Sequence, residues 1–385
     1  MTILLTANST FNITNFRLGL VRALRQHGQD VSILAPVDSN VDALTEIGCT
    51  VRHLEMDNTG TSPINDFKLI RRFAREFRKQ RPDLVLSFTI KNNIFGALAA
   101  RRSGTPFIPT ITGLGTAFLS GRALRWMACR LYAQAFRHLP TVVFQNTEDR
   151  DMFLELGLVT HRQSHMVTGS GVDTEHFAPV AFPAGGSSRT FVMIARMLRD
   201  KGVEEFVEAA RLCRAKRPGL DFCLVGPADS RNRSAIGLEQ LTVWDAEGAV
   251  RYLGERIDVR PDIAKAHCVV LPSYREGLPR VLLEAAAMAR PVVATDVPGC
   301  RDIVEDGANG YLCVPRDAAD LAEKMMDMAA LPLDRLSEMG STGRDKVLRE
   351  FSERGVIDEY LALIEGGLRG SRLDRSERDS ANVPS

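Results

Sequence analysis

Short runs of consecutive apolar residues recur along this chain, and between them apolar positions return every three or four residues. The first pattern marks buried strands and the second marks helices with one buried face, so their alternation predicts parallel sheets assembled from βαβ units. In the first half, Ile3 to Leu5, Val31 to Ala35, Leu84 to Phe88, Phe107 to Ile111, Thr141 to Gln145 and His165 to Val167 read as strands. Helices fall between them, for example at about Phe16 to His27 and Asn93 to Arg102. Pro179 to Ser188, rich in Pro, Ala and Gly, follows neither period and reads as a linker. The alternation restarts with Thr190 to Ala195, Phe222 to Val225, Val250 to Leu253, Val269 to Leu271 and Val292 to Ala294. The expected organisation is two Rossmann-like α/β domains, 1–180 and 189–352. The tail over 367–385, polar, charged and without aromatics from Arg369 onward, is expected to be disordered.

A chain of 385 residues exceeds what one hydrophobic core usually serves, which agrees with two domains. The formal net charge of +1 gives no global attraction to nucleic acid. Cys49, Cys129, Cys213, Cys223, Cys268, Cys300 and Cys313 are scattered, odd in number and mostly inside apolar segments. They read as reduced core residues of a cytosolic protein, not a disulfide framework or a zinc site. The N-terminus runs into a strand without a basic region or cleavage site, so a secretory leader is not expected. Ser103 to Gly121, the longest stretch free of charge, holds too many Pro, Gly and Thr for a spanning helix. The expectation is a soluble chain, or one bound at most to a membrane surface.

Candidate chemistry concentrates in Arg275-Glu276-Gly277-Leu278-Pro279 and the alanine-rich helix that follows. Cys268 to Leu271 reads as a buried strand, Ser273 to Leu278 as a turn, and Pro279 suits the first position of a helix through Ala289. Backbone N–H groups of Gly277 and Leu278 at that helix end are suited to an anion such as a nucleotide diphosphate. Glu276 at the mouth and Glu284 about a turn and a half inside are suited to accept hydrogen bonds from sugar and ribose hydroxyls. The plain alternative is two surface glutamates on an ordinary helix. Arg196 and Lys201 follow the strand ending at Ala195, the edge at which open α/β sheets bind ligands, and are suited to a diphosphate. A solvated loop accommodates the same residues. Asp149-Arg150-Asp151 reads as an acidic first helical turn, not a metal site. His161 and His165 lack the intervening Glu of a zinc peptidase helix, and Gly113-x-Gly115 and Gly169-x-Gly171 lack the third glycine of a dinucleotide fingerprint.

The glutamates separated by seven residues, the Gly-Leu-Pro after the first and Ala289-Arg290-Pro291-Val292-Val293-Ala294-Thr295 after the helix resemble the donor-site motif of retaining glycosyltransferase family 4. The similarity continues through Val297-Pro298-Gly299, Val304-Glu305-Asp306-Gly307 and Asn309-Gly310-Tyr311-Leu312, and Arg196 to Lys201 matches the family's Arg-x-x-x-x-Lys. The resemblance implies a GT-B fold, with two Rossmann-like domains facing each other across a cleft, and sugar transfer from a nucleotide diphosphate with retention. It implies that Arg196 and Lys201 stabilise the leaving diphosphate and Glu276 positions the sugar. Glu284, Gly277, Leu278, Pro279 and Arg256 would bind the donor, whose base lies near Tyr252 to Arg256. A last helix, about 353–366, would pack back on the first domain. The chain departs from the family at Ala7 to Asn15, which lacks the usual glycines but offers Asn12 and Asn15, and at Thr110 to Gly115, where Thr112 stands in a region that often carries a histidine.

Ile90 to Gly96 and Thr112 to Phe118 resemble the subgroup that extends polyprenyl-diphosphate-linked glycans, as in O-antigen and capsule assembly. Asn12, Asn15, Lys91 and Thr112 are candidate acceptor contacts; Lys91 is equally readable as a solvated lysine. Leu119 to His138, with Arg122, Arg125, Arg130 and Arg137 among aromatics, and Phe67 to Arg81, basic near Phe73 and Phe77, are suited to an anionic membrane surface or to packed helices with a basic face. The expected activity is metal-independent, cofactor-free transfer of an N-acetylhexosamine or its 6-deoxy relative. The donor is a UDP-sugar and the acceptor a polyprenyl-diphosphate-linked sugar, at the cytoplasmic face of the membrane. A UDP-sugar epimerase of the same fold and a non-catalytic nucleotide-sugar or lipid-binding subunit are the alternatives.

Overall fold

The computed structural model describes residues 1–57, 60, 62–113, 122–183, 188–228 and 234–380, with side chains omitted for 122, 123 and 367–380. The chain divides into two compact units, Met1–Ser170 with Arg354–Ser385, and Gly171–Glu353.

In the first unit, β1 (Thr2–Thr6), β2 (Asp30–Ala35), β3 (Thr50–His53), β4 (Leu84–Phe88), β5 (Phe107–Ile111), β6 (Val142–Phe144) and β7 (Ser164–Met166) form one sheet. Every pairing is parallel and the order is β3-β2-β1-β4-β5-β6-β7, so strand order reverses between β1 and β4. Helices cover both faces, which is why the central strands are apolar throughout rather than alternating. The Pro63–Gln80, Ile90–Ser103 and Arg122–Phe136 helices share one core, and the Thr10–Gln26 and Glu353–Ser380 helices contribute to another. The edge strand β3 escapes the sequence pattern because Val51 is its only aliphatic residue.

The second sheet repeats the plan with β8 (Thr190–Ile194), β9 (Asp221–Val225), β10 (Arg251–Tyr252), β11 (Cys268–Leu271), β12 (Val292–Thr295) and β13 (Gly310–Cys313). Its order is β10-β9-β8-β11-β12-β13, all parallel, and the reversal falls between β8 and β11.

The chain crosses between units at Ser170–Gly171 and Glu353–Arg354, not in the expected linker, whose residues 184–187 lie outside those described. Residues 171–183 belong with the second unit because backbone and arginine donors hold them there. Val172 N–H donates to Phe351 O and Glu353 N–H to Val172 O, each at 3.0 Å. Arg344 reaches the carbonyls of Thr174 and Phe177 at 3.4 Å, and buried Arg290 those of Val180 at 2.8 Å and Ala181 at 3.0 Å. Composition registers breakers; it does not register these long-range donors. The last helix, Glu353–Ser380, packs Val356, Tyr360 and Ile364 into the first unit, where the Tyr360 hydroxyl meets Thr110 Oγ1 at 2.9 Å. It continues to Ser380 through the stretch expected to be disordered, where Leu368, Arg369, Arg372, Leu373 and Glu377 are good helix formers.

Candidate active site

In an open parallel sheet, the loops leaving the carboxyl ends of the two strands at the reversal form a crevice where ligands bind. In the second unit these loops follow β8 and β11. After β8 the chain forms a short 3-10 turn at Arg199–Lys201 and enters the Val203–Lys216 helix through Gly202 at φ +76°. A Cβ at Gly202 would lie 2.1 Å from Pro272 O, so the turn rests directly on the end of β11. Tyr274 N–H donates to Asp200 O at 3.0 Å, the Tyr274 hydroxyl to Glu205 Oε1 at 2.6 Å, and the Thr295 hydroxyl to Ser273 O at 2.5 Å. Gly299, at φ +77°, lies so close that a Cβ there would be 2.2 Å from Gly277 O. These contacts fix the β11 loop between the β8 loop and the segment after β12, and Lys201 Nζ donates to Glu276 Oε1 at 2.5 Å across the reversal. The ammonium keeps two further donors and the carboxylate further lone pairs, so the pair retains capacity for a ligand. Arg196, on the same loop, is exposed and has no ion pair or side-chain hydrogen bond among the described residues.

The helix after this loop runs over Arg280–Ala287 with Pro279 as its N-cap, one residue later than the pattern predicts and two shorter at its far end. Proline has no N–H to offer, so the first helical amides are those of Arg280 and Val281; Gly277 and Leu278 lie in the turn before the cap. Glu284 Oε1 accepts from Arg280 Nε at 2.8 Å one helical turn away. Burial raises the Glu284 carboxyl above its ordinary range, and Arg280 partly offsets this. Arg256 stands beyond β10, two strands from the reversal, and pairs with Asp262 at 3.5 Å.

The equivalent position in the first unit carries different chemistry. The expected loop over Ala7 to Asn15 is only a turn, because Ser9 caps a helix starting at Thr10 by accepting from Asn12 N–H at 3.0 Å. Asn12 and Asn15 therefore stand on the first turns of that helix, half-buried, without side-chain hydrogen bonds among the described residues. Asp38 already occupies the helix end, accepting from the Thr10 hydroxyl at 2.6 Å and Phe11 N–H at 2.9 Å. Partial burial pushes the Asp38 carboxyl up, but hydrogen bonds from Thr10, Phe11 and Asn40 outweigh it and hold it below its usual value. Lys91 Nζ donates to Asp57 O at 2.7 Å and Gly60 O at 2.5 Å and pairs with Asp66 at 3.3 Å, and the side chain lines a pocket with Glu55, Asp66, Lys68 and Arg72. Thr112 follows β5, half-buried; the rest of its motif, from Leu114, lies outside the described residues. At the β1/β4 reversal, buried Asn92 donates through Nδ2 to Thr6 Oγ1 at 2.8 Å and Ala7 O at 3.0 Å, while the Thr89 hydroxyl donates to Asn92 Oδ1 at 2.9 Å. Asn92 lies inside the Ile90–Gly96 segment of the resemblance, but neither its bonds nor those of Thr89 are read from sequence pattern.

Residues 13–167 match the glycosyl transferase 4-like domain and residues 188–330 match the glycosyl transferases group 1, so each unit carries its own half of one family's signature. The chain belongs to this glycosyltransferase family. The N,N'-diacetylbacillosaminyl-diphospho-undecaprenol α-1,3-N-acetylgalactosaminyltransferase of Campylobacter jejuni is 27% identical over 370 residues, covering 92% of this chain and 96% of that enzyme. The UDP-Gal:α-D-GlcNAc-diphosphoundecaprenol α-1,3-galactosyltransferase of Escherichia coli is 25% identical over 316 residues, 78% of this chain and 80% of that enzyme. Among solved structures, Anabaena HepE in complex with UDP and glucose superposes with a TM-score of 0.77 at 18% identity, covering 95% of this chain and 99% of HepE. The fold is GT-B, and the protein is a transferase.

Elsewhere in this glycosyltransferase, Asp149 is buried and capped by Asn146, while Asp151 pairs with Arg150 at 2.8 Å, so the two carboxylates have separate partners. Among the described residues no three or more His, Cys, Asp and Glu side chains cluster as a metal site would, and no helix is long and apolar enough to cross a membrane. The two basic segments divide in a way composition does not show. Phe73, Phe77, Tyr132 and Phe136 are core, whereas Phe67 at 46% exposure and Trp126 at 66% are outside, with Arg71 and Arg130 over their rings at 4.6 and 5.5 Å.

Proposed function

We propose that the protein is a retaining, metal-independent and cofactor-free glycosyltransferase that moves an N-acetylhexosamine, or its 6-deoxy relative, from a UDP-sugar to a polyprenyl-diphosphate-linked sugar. The observation that carries this reading is the Lys201–Glu276 pair across the β8/β11 reversal, with exposed Arg196 on the same loop after β8. Two cations at a sheet's carboxyl edge suit a diphosphate, and a carboxylate held by one of them suits the hydroxyls of the attached sugar. The acceptor class is supported by the diphospho-undecaprenol acceptors in the names of the Campylobacter and Escherichia relatives, and the donor base by the UDP named for the Escherichia enzyme.

In this reading the acceptor oxygen bonds to the anomeric carbon on the face from which the diphosphate departs. The bond from that carbon to the β-phosphate oxygen breaks with its electron pair staying on the diphosphate, and the acceptor's proton leaves with that oxygen. Arg196 and Lys201 stabilise the charge that develops there, and Glu276 holds the sugar. Glu284 binds the nucleotide end of the donor. Exposed Trp126 and Phe67 with Arg71, Arg125 and Arg130 dock the enzyme on the anionic inner face of the cytoplasmic membrane.

The test is incubation with UDP-N-acetylhexosamines and a short-chain polyprenyl-diphosphate-linked sugar, following UDP release and the anomeric signals of the product. The expected result is acceptor-dependent UDP release, a retained anomeric configuration and no loss of rate with chelator. An inverted product, isomerisation of the donor without acceptor, or chelator-sensitive activity restored by manganese overturns the reading.

A further inference from the structure

Thr89 stands at φ 73° and ψ 150°, a backbone region that is essentially glycine's, although it is β-branched. It is also the N-cap of the Ile90–Ser103 helix, yet its side chain makes no capping hydrogen bond, so a threonine's usual use at that position is forgone. Its hydroxyl instead donates to Asn92 Oδ1. The direction of that bond is fixed by the chain behind it. The Thr6 hydroxyl donates to Leu34 O at 2.7 Å and so receives from Asn92 Nδ2, which leaves the Asn92 oxygen as the acceptor. With its proton committed to Asn92, Thr89 Oγ1 keeps lone pairs able to accept a hydrogen bond, on a half-exposed residue at the β1/β4 reversal, where an open α/β sheet binds its ligand. Lys91, two residues on, is already engaged by Asp57, Gly60 and Asp66.

We propose that Thr89 is an acceptor-binding residue, accepting a hydrogen bond from a hydroxyl of the acceptor sugar and orienting it for transfer, with Asn92 and Thr6 fixing the direction of the Thr89 hydroxyl. A threonine oxygen orients the hydroxyl without taking its proton, which leaves with the diphosphate as described above. Strained backbone persists where the surroundings over-determine it and concentrates at ligand sites, and here it delivers a neutral acceptor to the one place in the first unit equivalent to the donor loop of the second.

The proposal rests on the transferase reading above, and the experiment separates their failures. Full-length Thr89→Val, which keeps the branched shape and removes the hydroxyl, is compared with Thr89→Ser, Thr89→Gly and wild type. The readouts are UDP affinity by calorimetry and the ratio of sugar transferred to sugar released into water, using a UDP-N-acetylhexosamine donor and a short-chain polyprenyl-diphosphate-linked sugar. The expected result is a transfer-to-hydrolysis ratio reduced on the order of 10- to 100-fold in the Val and Gly variants and restored by Ser, with UDP affinity unchanged. Wild-type ratios in Val and Gly overturn the proposal, as does a Ser variant as impaired as Gly. Equal loss of UDP affinity and transfer also overturns it, by making the residue structural. If Val does not fold, the Ser and Gly variants decide alone. A wild-type enzyme that releases UDP from no donor defeats the transferase reading itself.

Discussion

At the β8/β11 reversal of the second sheet an ammonium and a carboxylate meet at 2.5 Å with an exposed arginine on the same loop, whereas at the β1/β4 reversal of the first the same station is filled by the neutral chain Thr6, Asn92 and Thr89. The strand orders are equivalent, so topology fixes where each unit binds and the loops decide what. Charge suits the half that must stabilise a leaving diphosphate, while hydroxyl and amide groups suit the half that must orient a sugar. Even the helix N-terminus after β1, an anion site by its dipole, is filled by the protein's own Asp38.

The largest effect should come from breaking the charged side. Lys201→Ala or Arg196→Ala is expected to lower turnover roughly 10²- to 10³-fold with the fold intact, because each removes charge stabilisation that matters most as the diphosphate leaves. Steady-state kinetics alongside circular dichroism checks this, and near wild-type turnover in either variant would sink the assigned role. Glu276→Ala should likewise act on turnover more than on nucleotide affinity.

Next in size is a pH effect peculiar to the second unit. Burial, with Arg189 and Arg290 nearby, lowers the pKa of His267 from 6.5 to about 4, and its Nδ1 accepts from Thr190 N–H at 3.1 Å. A depressed folded value means the stability from a neutral His267 is present above pH 6.5 and is lost as pH falls toward 4. The loss is on the order of 3 kcal/mol. Asp38 in the first unit is also depressed, but its contribution begins to fade only near its unfolded value of 3.8. Thermal melts should show wild type losing stability relative to His267→Asn between those limits; parallel pH profiles for the two would refute the assignment.

How much of this was legible follows from the range of each signal. The strands of both sheets stand out where they are buried on two faces, as at Leu84–Phe88 and Cys268–Leu271, and the Glu276 to Glu284 motif is contiguous enough to read directly. The true chain crossings were not legible, because the donors of Arg290 and Arg344 that hold 171–183 are more than a hundred residues away. Thr89 and Asn92 were hidden for a similar reason, since their meaning depends on a backbone angle and on partners at Thr6 and Ala7. The partners of Lys91 were not legible either, because a lone lysine just after a strand gives no sign that the chain at Asp57 and Gly60 will reach it.

A smaller change is expected from Glu284→Gln, which keeps the side chain's shape and weakens UDP binding about 10-fold by removing a charged acceptor. Titration calorimetry reads this, and a variant that loses turnover while binding UDP normally would mean the two glutamates exchange roles. Smallest per residue is the membrane term. Arg125→Glu and Arg130→Glu should weaken co-sedimentation with anionic vesicles by about 1 kcal/mol for each charge removed, less at high salt, and leave UDP affinity unchanged. Undiminished vesicle binding in the double variant contradicts the docking surface.

The comparison between the two reversals is tested most directly by amide hydrogen exchange with UDP alone and then with a short-chain polyprenyl-diphosphate-linked sugar. UDP is predicted to slow exchange over 195–202 and 273–284 while leaving 6–9 and 89–93 at their ligand-free rates, and the lipid-linked sugar to protect 89–93. Protection of 89–93 by UDP without any change at 195–202 would contradict the division of chemistry between the two sheets.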